Sequence, residues 1–133
     1  MSGQARPGER VLIVDDNPTN LKLVAYLMKA NGYTVDTALD AETALDSIRV
    51  NHPDVILMDI QLPGIDGLEL TRRLKADPGT RDIVIVAVTA YAMKGDQAKA
   101  LAAGCDDYIT KPIDTRKLPE TIAHHLAKRE IVS

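Results

Sequence analysis

Asp15, Asp16, Asp59, Thr89 and Lys111 are the residues whose side chains could do chemistry together, and each follows directly on a run suited to a β-strand. Val11-Leu-Ile-Val14 runs into the paired carboxylates, Val55-Ile-Leu-Met58 into Asp59, Ile83-Val-Ile-Val-Ala-Val88 into Thr89, and Tyr108-Ile-Thr110 into Lys111. If the strands are parallel, their C-terminal ends share one edge of the sheet, where residues distant in sequence converge. Three carboxylates at such an edge repel by roughly 4 kcal/mol per pair at about 4 Å and an effective dielectric near 20. A hard divalent cation answers that repulsion. Magnesium is favoured over calcium, because it is content with a few carboxylates plus water and phosphate oxygens. Lys111 adds a fixed positive charge suited to a phosphate, and Thr89 adds a hydroxyl donor. A carboxylate nucleophile between a metal and a lysine is arranged for an aspartyl phosphate. Asp59 is assigned as that nucleophile, and Asp15 and Asp16, adjacent on one turn, as metal ligands, directly or through water.

The elements that must position these residues are legible in the same runs. Four consecutive apolar residues before Asp59 are too few for a helix and suit a strand buried on both faces. Pro63, Gly64 and Gly67 follow and force a surface loop. Asn17-Pro18 opens a helix, with Asn17 as cap and Pro18 at the first helical position, and Leu21, Val24, Leu27 and Met28 form its core face as far as Gly32. Thr34-Val-Asp-Thr-Ala38 reads as an edge strand. Asp40 caps a second helix carrying Ala41, Ala44, Leu45 and Ile48, and a third carries Leu68, Leu70, Thr71 and Leu74 until Asp77-Pro78-Gly79. The fourth is expected to start at an Asp96 cap, to turn Ala98, Leu101 and Ala102 to one side, and to close at Gly104; rich in alanine, it should be held less firmly than the others. Asp114 is placed to cap the last helix, but Pro119 falls about one turn in, so the regular helix is expected to begin near Pro119, with Ile122 and Leu126 facing inward.

Strands alternating with helices in this way give an α/β fold, a doubly wound five-stranded parallel sheet with right-handed helical crossovers. At 133 residues the chain fits one domain: a leader over 1–10, the domain over 11–128 and a tail over 129–133. One cysteine, Cys105, excludes an internal disulfide framework and reads as a small packing residue. No signal-peptide core and no apolar run long enough to span a membrane occurs, so a cytoplasmic location without membrane insertion is expected. A net charge of −3 without a basic stripe, and no Trp or Phe, argue against binding nucleic acid. Phosphate loops of the Walker or dinucleotide type are missing too.

The motifs Asp15-Asp16, Leu57-Met58-Asp59, Pro63-Gly64, Val88-Thr89-Ala90 and Lys111-Pro112 together resemble those of a response-regulator receiver domain of two-component signalling, over Val11 to Leu126. The resemblance implies a (βα)5 flavodoxin-like fold with strand order 2-1-3-4-5, an order for which a member of this family is a standard illustration. It further implies that Asp59 takes a phosphoryl group from the histidine of a histidine kinase or phosphotransfer protein. Magnesium would be held by Asp16, Asp59 and the backbone carbonyl of Gln61, with Asp15 acting mostly through water. Thr89 and Tyr108 match the switch pair, in which Thr89 moves toward the phosphoryl group and Tyr108 turns inward. Lys111-Pro112 matches a peptide that is usually cis in the family. Within the family, Val88 to Asp96 with Ala103-Gly-Cys105 is most similar to single-domain receivers of the DivK cell-division type and to receivers of hybrid kinases.

The reading that follows is a stand-alone phosphorylation-controlled switch, not an enzyme beyond magnesium-dependent self-phosphorylation and self-dephosphorylation. A kinase or phosphotransfer partner is expected near Pro18, Leu21, Pro112 and Ile113, and a target protein at the last two helices and fifth strand. The alternatives are a phosphate shuttle or sink in a phosphorelay, the receiver portion of a hybrid kinase, a receiver that never takes phosphate, and a haloacid-dehalogenase-like phosphatase. The last needs a second Asp two residues beyond the nucleophile, where this chain has Gln61. Gln61 and Tyr91 flank the site and would tune phosphate lifetime. His124-His125 reads as a solvated helix face, since adjacent helical residues point apart.

Overall fold

In this computed structural model, residues 9–60, 67–89, 95–110 and 113–132 are described, the side chains of residues 96 and 128–132 excepted. Strands β1 (Arg10–Val14), β2 (Thr34–Ala38), β3 (Val55–Asp59), β4 (Val84–Thr89) and β5 (Asp107–Thr110) alternate with helices α1 (Pro18–Ala30), α2 (Ala41–Val50), α3 (Gly67–Ala76), α4 (Asp96–Ala103) and α5 (Lys117–Val132). Every strand pair is parallel, and the order is β2-β1-β3-β4-β5, as the resemblance implies. β1, β3 and β4 are interior strands and carry the β-branched runs, with β3 and β4 buried along their whole length. β2 and β5, at the edges, are more polar and more open.

Because successive strand residues point to opposite faces, the apolar runs feed two separate cores. Leu12, Val14, Ile56, Met58 and Ile85 pack with residues of α2, α3 and α4. Val11, Ile13, Val55, Leu57 and Val86 pack with residues of α1 and α5.

Local chemistry sets the helix starts. The Asn17 side chain accepts from the backbone N–H groups of Thr19 and Asn20 at 2.9 and 3.3 Å, with Pro18 behind it. Asp40 accepts from Thr43 N at 2.7 Å, and these bonds hold its carboxyl below the usual range. Asp114 does the same with Arg116 and Lys117, which likewise lowers its pKa.

α5 begins at Lys117, near Pro119 as expected and after a turn over 115–116, with the bond from Leu118 N to Asp114 O at 3.0 Å already at helical spacing. One helix expectation is corrected. In α4, Gly95 and not Asp96 is the cap residue, with φ +91°, and the buried residues are Ala100 and Ala103, whereas Ala98, Leu101 and Ala102 are exposed. The helix is rotated from the expected face because alanine at four of its eight positions lets several faces pack equally closely.

Candidate phosphoacceptor site

The edge formed by the C-terminal ends of β1, β3 and β4 brings the carboxylates together. The β1 ladder runs one residue past the strand, with Asp15 N donating to Ala38 O at 3.1 Å, so Asp15 is held at the sheet margin and buried. Its Oδ1 accepts from Asn17 N at 2.9 Å, which ties the carboxylate to the turn that opens α1. Asp16, one residue on, is exposed. Asp59 is the last residue of β3, paired in register with Val88, and is 5% exposed. One carboxylate oxygen from each of Asp15, Asp16 and Asp59 can be chosen so that all lie within 4.8 Å of one another. At that separation each pair of charges repels by at least about 3.5 kcal/mol at an effective dielectric near 20, and by less where Asp16 meets solvent. An all-oxygen donor set this close, two of its members buried, fits a hard divalent ion.

The surroundings strengthen the field of these charges. Val14, Leu57, Val88 and Ile113 wall a narrow cleft of ≈ 10 Å³ beside Asp15 and Asp59, so little water can screen the pair from beneath. Thr89, the last residue of β4, is fully buried beside Val88, the register partner of Asp59. Tyr108 lies one strand over, paired with Ala87, its hydroxyl shielded from solvent and its ring packed on the α2-α3-α4 core.

Gly67 closes the far side. Its N–H donates to Ile60 O at 3.3 Å, and a Cβ here would strike Asp59 O and lie 2.7 Å from Ile60 Cα. The first residue of α3 can therefore approach the backbone of Asp59 and Ile60 this closely only as a glycine.

Of the residues assigned from sequence, Asp15, Asp16 and Asp59 converge, Thr89 ends β4, and Tyr108 is the second residue of β5. Gln61, Pro63, Gly64, Tyr91, Lys111 and Pro112, including the expected cis peptide, lie outside the described residues. Gly67 as a site residue was missed, although a glycine at the first position of a helix two turns after a strand-end aspartate was the available signal. Of His124-His125, His124 is exposed as expected, and His125 is the correction: it is only partly exposed, its Nε2 2.9 Å from Asp107 Oδ2, an anchor on β5 that helical spacing does not reveal. Among the described residues no helix is long and apolar enough to cross a membrane.

A family model described as response regulator receiver domain matches residues 11–123. The polar-differentiation response regulator DivK of Brucella ovis is 48% identical over 116 residues, 87% of this chain and 94% of that protein. A CheY-like response regulator receiver domain protein from Methanospirillum hungatei JF-1 shares the fold with a TM-score of 0.85 at 34% identity, covering 94% of this chain and 98% of that one. The receiver domain of sensor histidine kinase PA1611 from Pseudomonas aeruginosa PAO1, solved with a magnesium ion coordinated in its active site cleft, gives a TM-score of 0.82 at 34% identity over 90% of this chain and 98% of that one.

Proposed function

This chain belongs to the response regulator receiver domain family, and from that membership we propose that Asp59 is its phosphoacceptor and that the chain acts as a single-domain switch. The observation that carries this is the convergence of Asp15, Asp16 and Asp59 within 4.8 Å at the sheet edge, with Asp59 buried and Thr89 close by in the sheet.

In the proposed reaction a carboxylate oxygen of Asp59 forms a bond to phosphorus as the P–N bond of a donor phosphohistidine breaks. The electron pair leaves on the imidazole nitrogen, and the product is an acyl phosphate. Asp15 and Asp16, with Asp59 and the Gln61 carbonyl, would hold magnesium, which supplies positive charge against the carboxylates and the incoming phosphoryl group. Lys111 would hold a phosphoryl oxygen, and Thr89 would donate to another. The apolar walls beside Asp59 leave little room for water to screen its charge. No substrate is turned over in this reading, since the product is the modified protein.

The donor is a histidine kinase or phosphotransfer protein, approaching α1 near Pro18 and Leu21 and the stretch at Pro112 and Ile113. On α1 itself Leu21 is buried, and the exposed apolar residues are Leu23 and Tyr26, 57% and 76% exposed. On the opposite flank, the exposed Ala98, Leu101 and Ala102 of α4 favour a switch with a target protein over a phosphate sink, because a sink has no use for an apolar output surface. The domain is assigned to residues 11–128, and the cytoplasm, where kinase and phosphodonor are found, is the proposed location.

Intact mass after incubation with magnesium and acetyl phosphate tests the assignment. One added phosphoryl group in the wild type, absent from Asp59→Asn and from a magnesium-free sample, is expected. Addition that persists in Asp59→Asn would move the acceptor elsewhere.

A further inference from the structure

His125 sits on α5 with its ring mostly covered, and Asp107, the first residue of β5, is about a third exposed. The two oxygens of Asp107 do different things. Oδ2 meets His125 Nε2 at 2.9 Å, and Oδ1 accepts from the backbone N–H of Tyr108 at 2.8 Å. An ionised carboxylate only accepts, so Nε2 is the donor, both in the imidazolium and in the neutral tautomer protonated there. The His124 ring stands edge-on to that of His125, with centroids 5.7 Å apart.

Strand geometry gives this pair its reach. Side chains alternate across β5, so Asp107 and Ile109 share one face, on which Ile109 packs with α1 and α5, while Tyr108 points to the other and packs against the α2-α3-α4 core. A single carboxylate thus joins α5 to the nitrogen of the residue whose ring lies on the far side of the sheet. Rotating Asp107 breaks both bonds at once.

We propose that Asp107 and His125 form a clamp that positions Tyr108: by fixing the peptide from which its side chain springs, they favour the inward orientation in which the hydroxyl is shielded. The proposal rests on the reading of Tyr108 as the switch partner of Thr89. Asp107 and His125 are positioning residues, since neither belongs to the carboxylate cluster. Linkage makes their effect reciprocal. If phosphate at Asp59 draws Tyr108 inward, then loosening the clamp weakens the response to phosphate by the same factor with which phosphate favours the clamped state.

The test follows Tyr108 directly. The protein is labelled with 3-fluorotyrosine, the Tyr108 resonance is assigned with Tyr108→Phe, and beryllofluoride with magnesium, a phosphoryl mimic, is titrated into wild type, His125→Leu, His125→Gln and Asp107→Asn. In the wild type the resonance is expected to shift to one saturating position. His125→Leu should lower the inward population and raise the beryllofluoride concentration at half-saturation about three- to tenfold, the range for a partly exposed charge-assisted hydrogen bond. Asp107→Asn should act in the same direction, and His125→Gln, which keeps an N–H donor, should recover most of the wild-type response.

Thermal melts on each variant separate positioning from stability. A lowered melting point with a wild-type titration in His125→Leu, or opposite shifts in His125→Leu and Asp107→Asn, would reduce the clamp to a structural contact and overturn the proposal. A wild-type Tyr108 resonance that ignores bound beryllofluoride would instead overturn the switch reading itself, and the clamp with it.

Discussion

At the scale of single residues, the acidic site is a stability cost that the chain carries for its chemistry. Asp15 and Asp59 are buried, and with Asp16 they hold three carboxylates within 4.8 Å. Asp59→Asn keeps the shape and removes one charge from the trio. In chelator-treated protein it is expected to raise unfolding free energy by about 1–3 kcal/mol, the cost of a repulsion partly screened at Asp16; urea denaturation measures it, and a loss of stability would mean that the carboxylates are not in conflict. Tyr33 presents a different tension. It is 4% exposed, and its hydroxyl has no hydrogen-bond partner among the described residues. Burial, helped by the charge of Glu9, pushes its pKa up from 10.0 to about 12. The unfolded chain therefore releases this proton first, so stability is full below pH 10 and falls between about pH 10 and 12. Absorbance titration at alkaline pH should show one tyrosine ionising late, and Tyr33→Phe should abolish that late phase while leaving stability at neutral pH unchanged or up to about 1 kcal/mol higher, because an unsatisfied hydroxyl has gone. Asp15, Asp16 and Asp59 could be read from sequence because, although one carboxylate ending an apolar run is more often a cap or loop residue, three of them together with Thr89 and Lys111 at strand ends are not. Tyr33 and His125 could not, since the burial of Tyr33 and the pairing of His125 with Asp107 come from tertiary packing that no periodicity announces.

At the scale of elements, interior strands and capped helices were legible because several local rules agree on each. β3 and β4 are apolar on both faces, and Asn17-Pro18 and Asp40 announce their helices. α4 was misread for the opposite reason: with alanines at 98, 100, 102 and 103, its inward side is chosen by what Cys105 and the α3 contacts leave open. Two glycines next to elements carry constraints that propensity alone gets backwards. Replacing a helical glycine by alanine ordinarily stabilises by up to about 1 kcal/mol. At Gly67 the new Cβ would strike the backbone of Asp59 and Ile60, which cannot yield without moving the proposed phosphoacceptor. Gly104 has φ +111°, a Cβ added there would lie 2.8 Å from Lys75 Cγ, and Lys75 is itself tied to Ile83 O at 2.7 Å and Asp106 at 3.1 Å. Both Gly67→Ala and Gly104→Ala should therefore destabilise, by about 1–3 kcal/mol. Only Gly67→Ala should also slow phosphoryl uptake from acetyl phosphate in the fraction that remains folded. Equal uptake by the two variants would place the Gly67 contact outside the site.

At the scale of the whole molecule, the sheet edge is where folding and ligand binding become one equilibrium. The carboxylates converge only when β1 and β3 are paired, since Val14 and Met58 are register partners and the acidic residues follow them. The unfolded chain scatters Asp15, Asp16 and Asp59 and can hold a divalent ion only weakly. Magnesium should consequently bind the native state alone and stabilise it by RT ln(1 + [Mg]/Kd), about 2.7 kcal/mol at a hundredfold excess over Kd, which for a domain of this size is a rise of roughly 8–10 °C in Tm. Circular dichroism melts at fixed ionic strength, with magnesium replaced by an equivalent of sodium chloride, separate this from general screening, which would favour the trio only modestly. Asp16→Asn and Asp59→Asn should each melt higher than wild type without magnesium and gain much less from adding it. That crossing follows from one physical cause, since the charge that repels in the absence of the ion is the charge that binds it. A wild-type Tm indifferent to magnesium, or variants that respond to it as the wild type does, would remove the three aspartates from the metal site and leave the family fold without its expected ion.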